Sequence, residues 1–144
     1  MLLLDANLLI YAVSADLPEH AAARAWLDDQ LNGTDRVGLP WHSLLAFLRI
    51  TSNPRVLERP LPLRDGWDVV AAWLGLPTTW IPGPGERHAE ILGELLPAAR
   101  SHDLVADAHL CAIAVEHGLT VASSDGDFAR FETVRWVNPL APRR

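Results

Sequence analysis

Short apolar runs alternate along the chain with longer segments whose apolar residues recur at helical spacing. Residues 2–4 read as a buried strand, and residues 36–40, 78–81, 120–123 and 134–137 as four more. Between them lie the helical patterns. Residues 6–13 make a short helix or turn. Glu19 to Leu31 is amphipathic, with Ala22, Ala25, Trp26 and Leu31 in its apolar stripe and Asn32-Gly33 as its stop. A helix over 43–52, capped by Ser43, ends before Pro54, and residues 55–62 form a proline-containing loop. Leu63 to Leu76 is helical, as is Glu86 to Leu96, where Pro97 shortens or kinks the end. Leu104 to His117 is an apolar helix stopped by Gly118. Strands alternating with helices predict an α/β fold: one domain over residues 1–144, with a mainly parallel sheet of about five strands flanked by helices. In open sheets of this kind ligands bind beyond the carboxyl ends of the strands.

Three aspartates break that apolar pattern. Asp5 ends the run Met1-Leu2-Leu3-Leu4, Asp107 interrupts the apolar helix, and Asp125 follows the strand that leads to Ser123-Ser124. A carboxylate in apolar surroundings is costly unless it is paired, hydrogen-bonded or metal-bound. No basic residue stands beside any of the three, and the chain contains no lysine. A hard divalent ion, Mg²⁺ or Mn²⁺, suits such a set of oxygens. Asp5 and Asp125 both fall at predicted carboxyl ends of strands, so two distant segments bring acids to one rim.

Other polar residues stand near these three, each with a structural alternative. Asp5 can cap the helix that follows it, or bind an ion with Asn7 orienting its carboxylate. Asp103 and Asp107 have i,i+4 spacing, and Asp103 also suits a helix N-cap. Asp127 suits either a cap on the turn Phe128-Ala129-Arg130 or support of an ion. Ser123 either bonds a carboxylate or terminates its strand. His109 reads as a residue of the helix face, and His102 and His109 form no zinc pattern with a cysteine pair. The six tryptophans read as mostly core or partner surface rather than base-stacking platforms.

Composition narrows the class. A chain of 144 residues, 49% hydrophobic and 21% charged, suits one globular domain with a sizeable core. A net charge of −6 argues against a generic nucleic-acid coat, though not against a nucleic-acid enzyme with a local arginine patch. The single cysteine, Cys111, reads as a core thiol and suits a reducing cytoplasm. The apolar N-terminus lacks the positive charge of a signal peptide and is broken by Asp5, and no run is long enough to span a membrane. A cytoplasmic protein is expected.

Asp5 with Asn7, the helical Asp107, and Ser123-x-Asp125-x-Asp127-Phe128, taken in order, resemble the PIN-domain nucleases. More narrowly the chain is similar to the VapC-type toxins of bacterial toxin–antitoxin pairs. The opening Leu-Leu-Leu-Asp-Ala-Asn, the stretch Asp103 to Leu110, and the ending Phe128-Ala129-Arg130-Phe131 through Asn138-Pro139-Leu140 carry the likeness over nearly the whole chain. The resemblance implies Mg²⁺- or Mn²⁺-dependent endonucleolytic cleavage of RNA, leaving a 5′-phosphate and a 3′-hydroxyl. Asp5, Asp107 and Asp125 would be metal ligands, with Asn7, Asp103, Ser123 and Asp127 in support. Arg49, Arg55 and Arg130 are candidate phosphate contacts. The resemblance also implies a VapB-type antitoxin as partner, a homodimer, and contact with operator DNA only through the antitoxin.

One position departs from the family pattern. Its usual glutamate, three residues before an arginine, is replaced by Ala46 ahead of Arg49. That leaves the number of metals open and keeps a second reading alive, a catalytically weakened PIN-fold module that binds RNA or protein. A phosphoacceptor receiver domain would want a late lysine, which is absent, and no glycine-rich phosphate loop occurs.

Overall fold

The computed structural model describes residues 1–142. Five short strands, β1 (Leu2–Leu4), β2 (Val37–Gly38), β3 (Thr79–Trp80), β4 (Thr120–Ala122) and β5 (Trp136–Val137), form one sheet in the order β3-β2-β1-β4-β5. Every pairing is parallel, with Leu3 beside Gly38 on one side and Val121 on the other. Six α-helices connect them: α1 (Ala6–Val13), α2 (His20–Leu31), α3 (Trp41–Thr51), α4 (Leu63–Leu74), α5 (His88–Ala99) and α6 (Val105–His117). No helix among the described residues is long and apolar enough to cross a membrane.

Side-chain alternation along the strands divides the core. Leu4 and Ala122 point to the face covered by α1 to α4, where Leu8, Leu9, Leu27, Leu44, Phe47 and Val70 are buried. Leu3 and Val121 point to the other face, packed against Ile91 and Leu95 of α5, Leu110 and Ile113 of α6, and Phe128 and Phe131. Both faces are covered, which is why the strands read as uninterrupted apolar runs. The chain winds outward from β1 through β2 to β3 under one layer of helices. It then returns under the other layer to lay β4 beside β1. Strand order therefore reverses between β1 and β4, and a crevice opens beyond their carboxyl ends.

Several local expectations are corrected. The buried stripe of α2 is Ala23, Leu27 and Leu31, while Ala22 and Ala25 are exposed. Helix α3 begins at Trp41 after Pro40, so Ser43 is not its cap. The Ser43 hydroxyl instead donates inward to the Leu4 carbonyl at 2.7 Å, tying the first turn of α3 to the end of β1. Helix α5 starts at His88 rather than Glu86. The Glu116 carboxylate of α6 accepts from the Gly85 and Arg87 amides at 2.7 and 2.9 Å, which holds residues 85–87 in a turn. Pro97 does not end α5, which runs on to Ala99. It stands exposed in the last turn, where little helix remains to be broken. The apolar helix is preceded by a short 3-10 turn, His102–Leu104, with Ser101 as its cap.

Candidate functional site

The carboxyl ends of β1 and β4 are knitted together by one buried hydroxyl. Ser123 Oγ donates to Asp5 Oδ2 at 2.7 Å and accepts from the Asp125 amide at 3.0 Å and from Asn7 Nδ2 at 3.0 Å. Its single proton is spent on Asp5, so Asn7 must present its NH₂ to the serine, which fixes the amide orientation. The other end of that amide, Asn7 Oδ1, is buried with no hydrogen-bond partner. Asp5 caps α1, its Oδ1 accepting from the Ala6 amide at 2.8 Å, and its own amide donates to the Ala122 carbonyl. Capping and site placement therefore coexist at Asp5.

Asp125 plays the matching part after β4. It caps the 3-10 turn Gly126–Arg130, with its Oδ1 accepting from the Asp127 amide at 2.9 Å. The cap role considered for Asp127 thus falls to Asp125. Asp127 is exposed and lies 3.7 Å from the Arg130 guanidinium. Asp107, in the first turn of α6, completes the group from a third direction.

Electrostatics report the crowding. Burial raises the Asp5 carboxyl above its ordinary value, with the Asp125 charge adding to it, while the Ser123 and Ala6 bonds and His42 pull the other way. Asp107 is pushed up to about 7, first by burial and then by the charges of Asp5, Asp125 and Asp127. No hydrogen bond offsets that push. Beneath it the buried Cys111 thiol is pushed up to about 12 by burial and by Asp107 and Asp5, as befits an inert core thiol.

A divalent cation fits this donor set. The oxygens are hard, no counter-charge offsets the repulsion at Asp107, and the buried Asn7 Oδ1 has no hydrogen-bond partner. Among the described residues no three His, Cys, Asp or Glu side chains close around one point as a finished cage. An ion held at the rim would keep part of its water shell, as Mg²⁺ commonly does.

Other expected residues are not brought to the rim. Asp103 lies in the 3-10 turn, not one helical turn below Asp107. It is exposed and pairs with His102 at 2.9 Å. Arg49 lies in the last turn of α3, and it and Arg55 are both exposed. Arg130 alone of the three arginines adjoins the acids, through Asp127. Ala46 is buried in the core on the α1–α4 face. The tryptophans divide: Trp73 is buried, whereas Trp41 and Trp67 stack on the surface with ring centroids 6.4 Å apart.

Three histidines meet beside helix α6. His109 is more than a residue of the helix face: its Nδ1 meets His88 Nε2 at 3.0 Å, and its ring meets His42 edge-on at 5.6 Å. Burial and the two neighbouring rings lower its pKa. His42 had no sequence signal, because the contact crosses from α3 to α6.

Comparison with known proteins places this arrangement. The PIN domain family model matches residues 2–134. Ribonuclease VapC37 of Mycobacterium tuberculosis is 44% identical over 142 residues, covering 98% of this chain and 99% of that protein. Ribonuclease VapC33 of the same species is 41% identical over 141 residues, covering 97% and 99%. Among solved structures, one chain of FitAB bound to an IR36 DNA fragment matches with a TM-score of 0.67 at 22% identity, covering 100% of this chain and 99% of that one. One chain of VapBC2 from Rickettsia felis, bound to a DNA fragment from its promoter, matches with a TM-score of 0.69 at 13% identity, covering 95% and 97%. These two likenesses bear on the fold. The family model, the two close relatives and the shared architecture agree: the chain belongs to the PIN-domain family, among its VapC proteins.

Proposed function

We propose that this protein is a divalent-metal-dependent endoribonuclease and the toxin of a VapBC-type pair, acting in the cytoplasm and neutralised by a cognate VapB-type antitoxin. The observation that carries the reading is the meeting of Asp5, Asp107 and Asp125, from three separate segments, at the strand-order reversal between β1 and β4. Relatives that cover nearly the whole chain are ribonucleases by name, which supports RNA as the substrate.

A bound Mg²⁺ or Mn²⁺ supplies an activated water and neutralises charge developing on the scissile phosphate. The chain's own part is placement. Asp5, Asp107 and Asp125 hold the ion, directly or through water. Ser123 and Asn7 keep the Asp5 carboxylate and the Asp125 backbone in register with each other. The pairing of Arg130 with Asp127 supports it as a phosphate contact near the acids, and the exposed Arg49 and Arg55 are further candidates for phosphate contacts.

An antitoxin partner is supported by structural neighbours that were solved as FitAB and VapBC2 bound to DNA fragments. A chain of net charge −6 suits an antitoxin that presents arginine or lysine to the acidic rim. We extend to this chain a homodimer, and operator DNA reached only through the antitoxin.

Purified protein is expected to cleave RNA with Mg²⁺ or Mn²⁺ and to stop in excess EDTA. Undiminished cleavage in EDTA, with contaminating nuclease excluded, would overturn metal dependence. Metal binding without cleavage of any RNA would favour the weakened binding module, the reading that Ala46 keeps open.

A further inference from the structure

Trp41 and Trp67 are the tryptophans the core does not account for. They are 42% and 48% exposed, and their rings lie within 5° of parallel with centroids 6.4 Å apart. That spacing is at the wide end for an aromatic pair, where about 4.5–7 Å is usual. Each indole still presents a large flat surface to water, with Leu45 and Leu63 exposed on the same two helices. A grouping of large apolar side chains of this kind marks a binding surface.

The fold sets the pair on the rim that holds the acids. Trp41 is the first residue of α3, entered from the carboxyl end of β2 through Leu39 and Pro40. Two residues on, the Ser43 hydroxyl donates to the carbonyl of Leu4, the residue before Asp5. The start of α3 is thereby pinned to the strand end that delivers Asp5. Trp67 meets Trp41 from α4, which Gly66 lets close on α3: a Cβ there would stand 3.1 Å from Leu48. Arginines flank the rings. Arg49 continues the exposed stripe of Trp41 and Leu45 on α3, and Arg64 lies one turn before Trp67 on α4. Neither guanidinium enters an ion pair among the described residues. Asp65 and Asp68 are exposed on α4 as well and offset that charge, so the rings must carry most of the affinity.

We propose that the Trp41–Trp67 pair is a stacking platform for unpaired bases of the RNA, holding a single strand on the rim beside Asp5. The inference rests on RNA as the substrate and deepens that reading by naming the form of RNA the site takes. It reverses the sequence-based expectation that the tryptophans serve the core or a partner surface. Every base has a flat π-face, so an indole takes unpaired bases with little regard to sequence. In a duplex those faces are already stacked on neighbouring bases and are closed to the protein.

Stacking needs no ion, so binding is read in EDTA to prevent cleavage. Oligoadenylate is the probe and a blunt RNA duplex the control. Oligoadenylate is expected to quench the indole fluorescence of the wild-type protein, and the duplex to leave it nearly unchanged. Trp41→Leu and Trp67→Leu keep apolar area but lose the flat face. Each should remove part of the quenching and weaken oligoadenylate about fivefold to a hundredfold. Trp41→Phe and Trp67→Phe should keep most of the affinity. Wild-type protein that cleaves RNA in Mg²⁺ yet shows no quenching by oligoadenylate overturns the platform while the nuclease stands, and no variant is needed to see it. Equal quenching by the duplex overturns it, as do folded leucine variants that bind as tightly as the phenylalanine ones. If a second copy of the chain or an antitoxin covers the pair instead, the leucine variants weaken that association and leave RNA binding as it was, which also overturns it. If no RNA is bound or cleaved with or without Mg²⁺, the nuclease reading and this inference fall together.

Discussion

Asp5 and Asp107 reach one rim from differently built supports. Asp5 ends a strand at the centre of the sheet, where a serine hydroxyl and a backbone amide both donate to its carboxylate. Asp107 rises from the first turn of α6 with no hydrogen bond to offset burial and the charges of three other aspartates. Asp5 serves the fold and the site together, since it caps α1 and links β1 to β4. Asp107 serves no evident structural purpose, and its carboxyl is held near neutrality at the cost of ordinary acidity. A residue of the first kind is partly satisfied without an ion. One of the second kind makes sense when a cation completes it.

The largest expected effect is common to both. Asp5→Asn and Asp107→Asn should each lower RNA cleavage a hundredfold or more, equivalent to about 3–4 kcal/mol of transition-state stabilisation. Circular dichroism should confirm that both variants are folded. A variant that keeps the wild-type rate would remove its residue from the ligand set.

Ser123→Ala should come next. It strands Asn7 Nδ2, the Asp125 amide and one Asp5 oxygen at once in a buried setting. A stability loss of about 1–3 kcal/mol is expected from denaturant unfolding, together with weaker metal binding. An unchanged unfolding midpoint would show that this knot is not what joins the two strand ends.

Metal-free stability should then separate the two acids by the bonds each carboxylate accepts. The folded pKa of Asp107 is raised from 3.8 to about 7, so the folded protein binds the extra proton between those values. This group's stabilising contribution is complete below about pH 4 and is lost as pH rises through 7. Asp107→Asn should therefore stabilise the metal-free fold at pH 8, by no more than about 1 kcal/mol because the group is half exposed and screened, and so raise its thermal midpoint. Asp5 is raised in the same direction by burial, so Asp5→Asn gains the same relief but loses one of two accepted bonds, and its midpoint should rise less than that of Asp107→Asn or fall. Scanning calorimetry in EDTA reads both, and equal shifts would erase the distinction drawn here. Asp103→Asn should change neither activity nor midpoint, because that side chain is exposed and outside the rim.

Much of this was legible in the sequence, for physical reasons that also mark its limits. Apolar runs as short as Leu2-Leu3-Leu4 betray a two-sided parallel sheet, and an acid at the end of such a run marks its carboxyl edge. Asp107 was legible because nothing apolar around it justified a charge. Asp103 was misplaced because i,i+4 spacing assumes a continuous α-helix, and a 3-10 turn intervenes. Ser43 was misread because its hydroxyl bonds a residue 39 positions away rather than its own helix. His42 was passed over for the same reason, since its neighbours belong to other elements. Local pattern reads local bonds, and the parts of the site it missed are those made across the fold.

The central claim, that these carboxylates await a shared cation, is tested most directly by nuclear magnetic resonance titration of the Asp107 carboxyl carbon, without and with saturating Mg²⁺. Without metal the midpoint should lie near 7, and with metal it should fall well below, because the ion competes with the proton for the same oxygens. A midpoint at the ordinary aspartate value without metal, unmoved by Mg²⁺, would contradict the account.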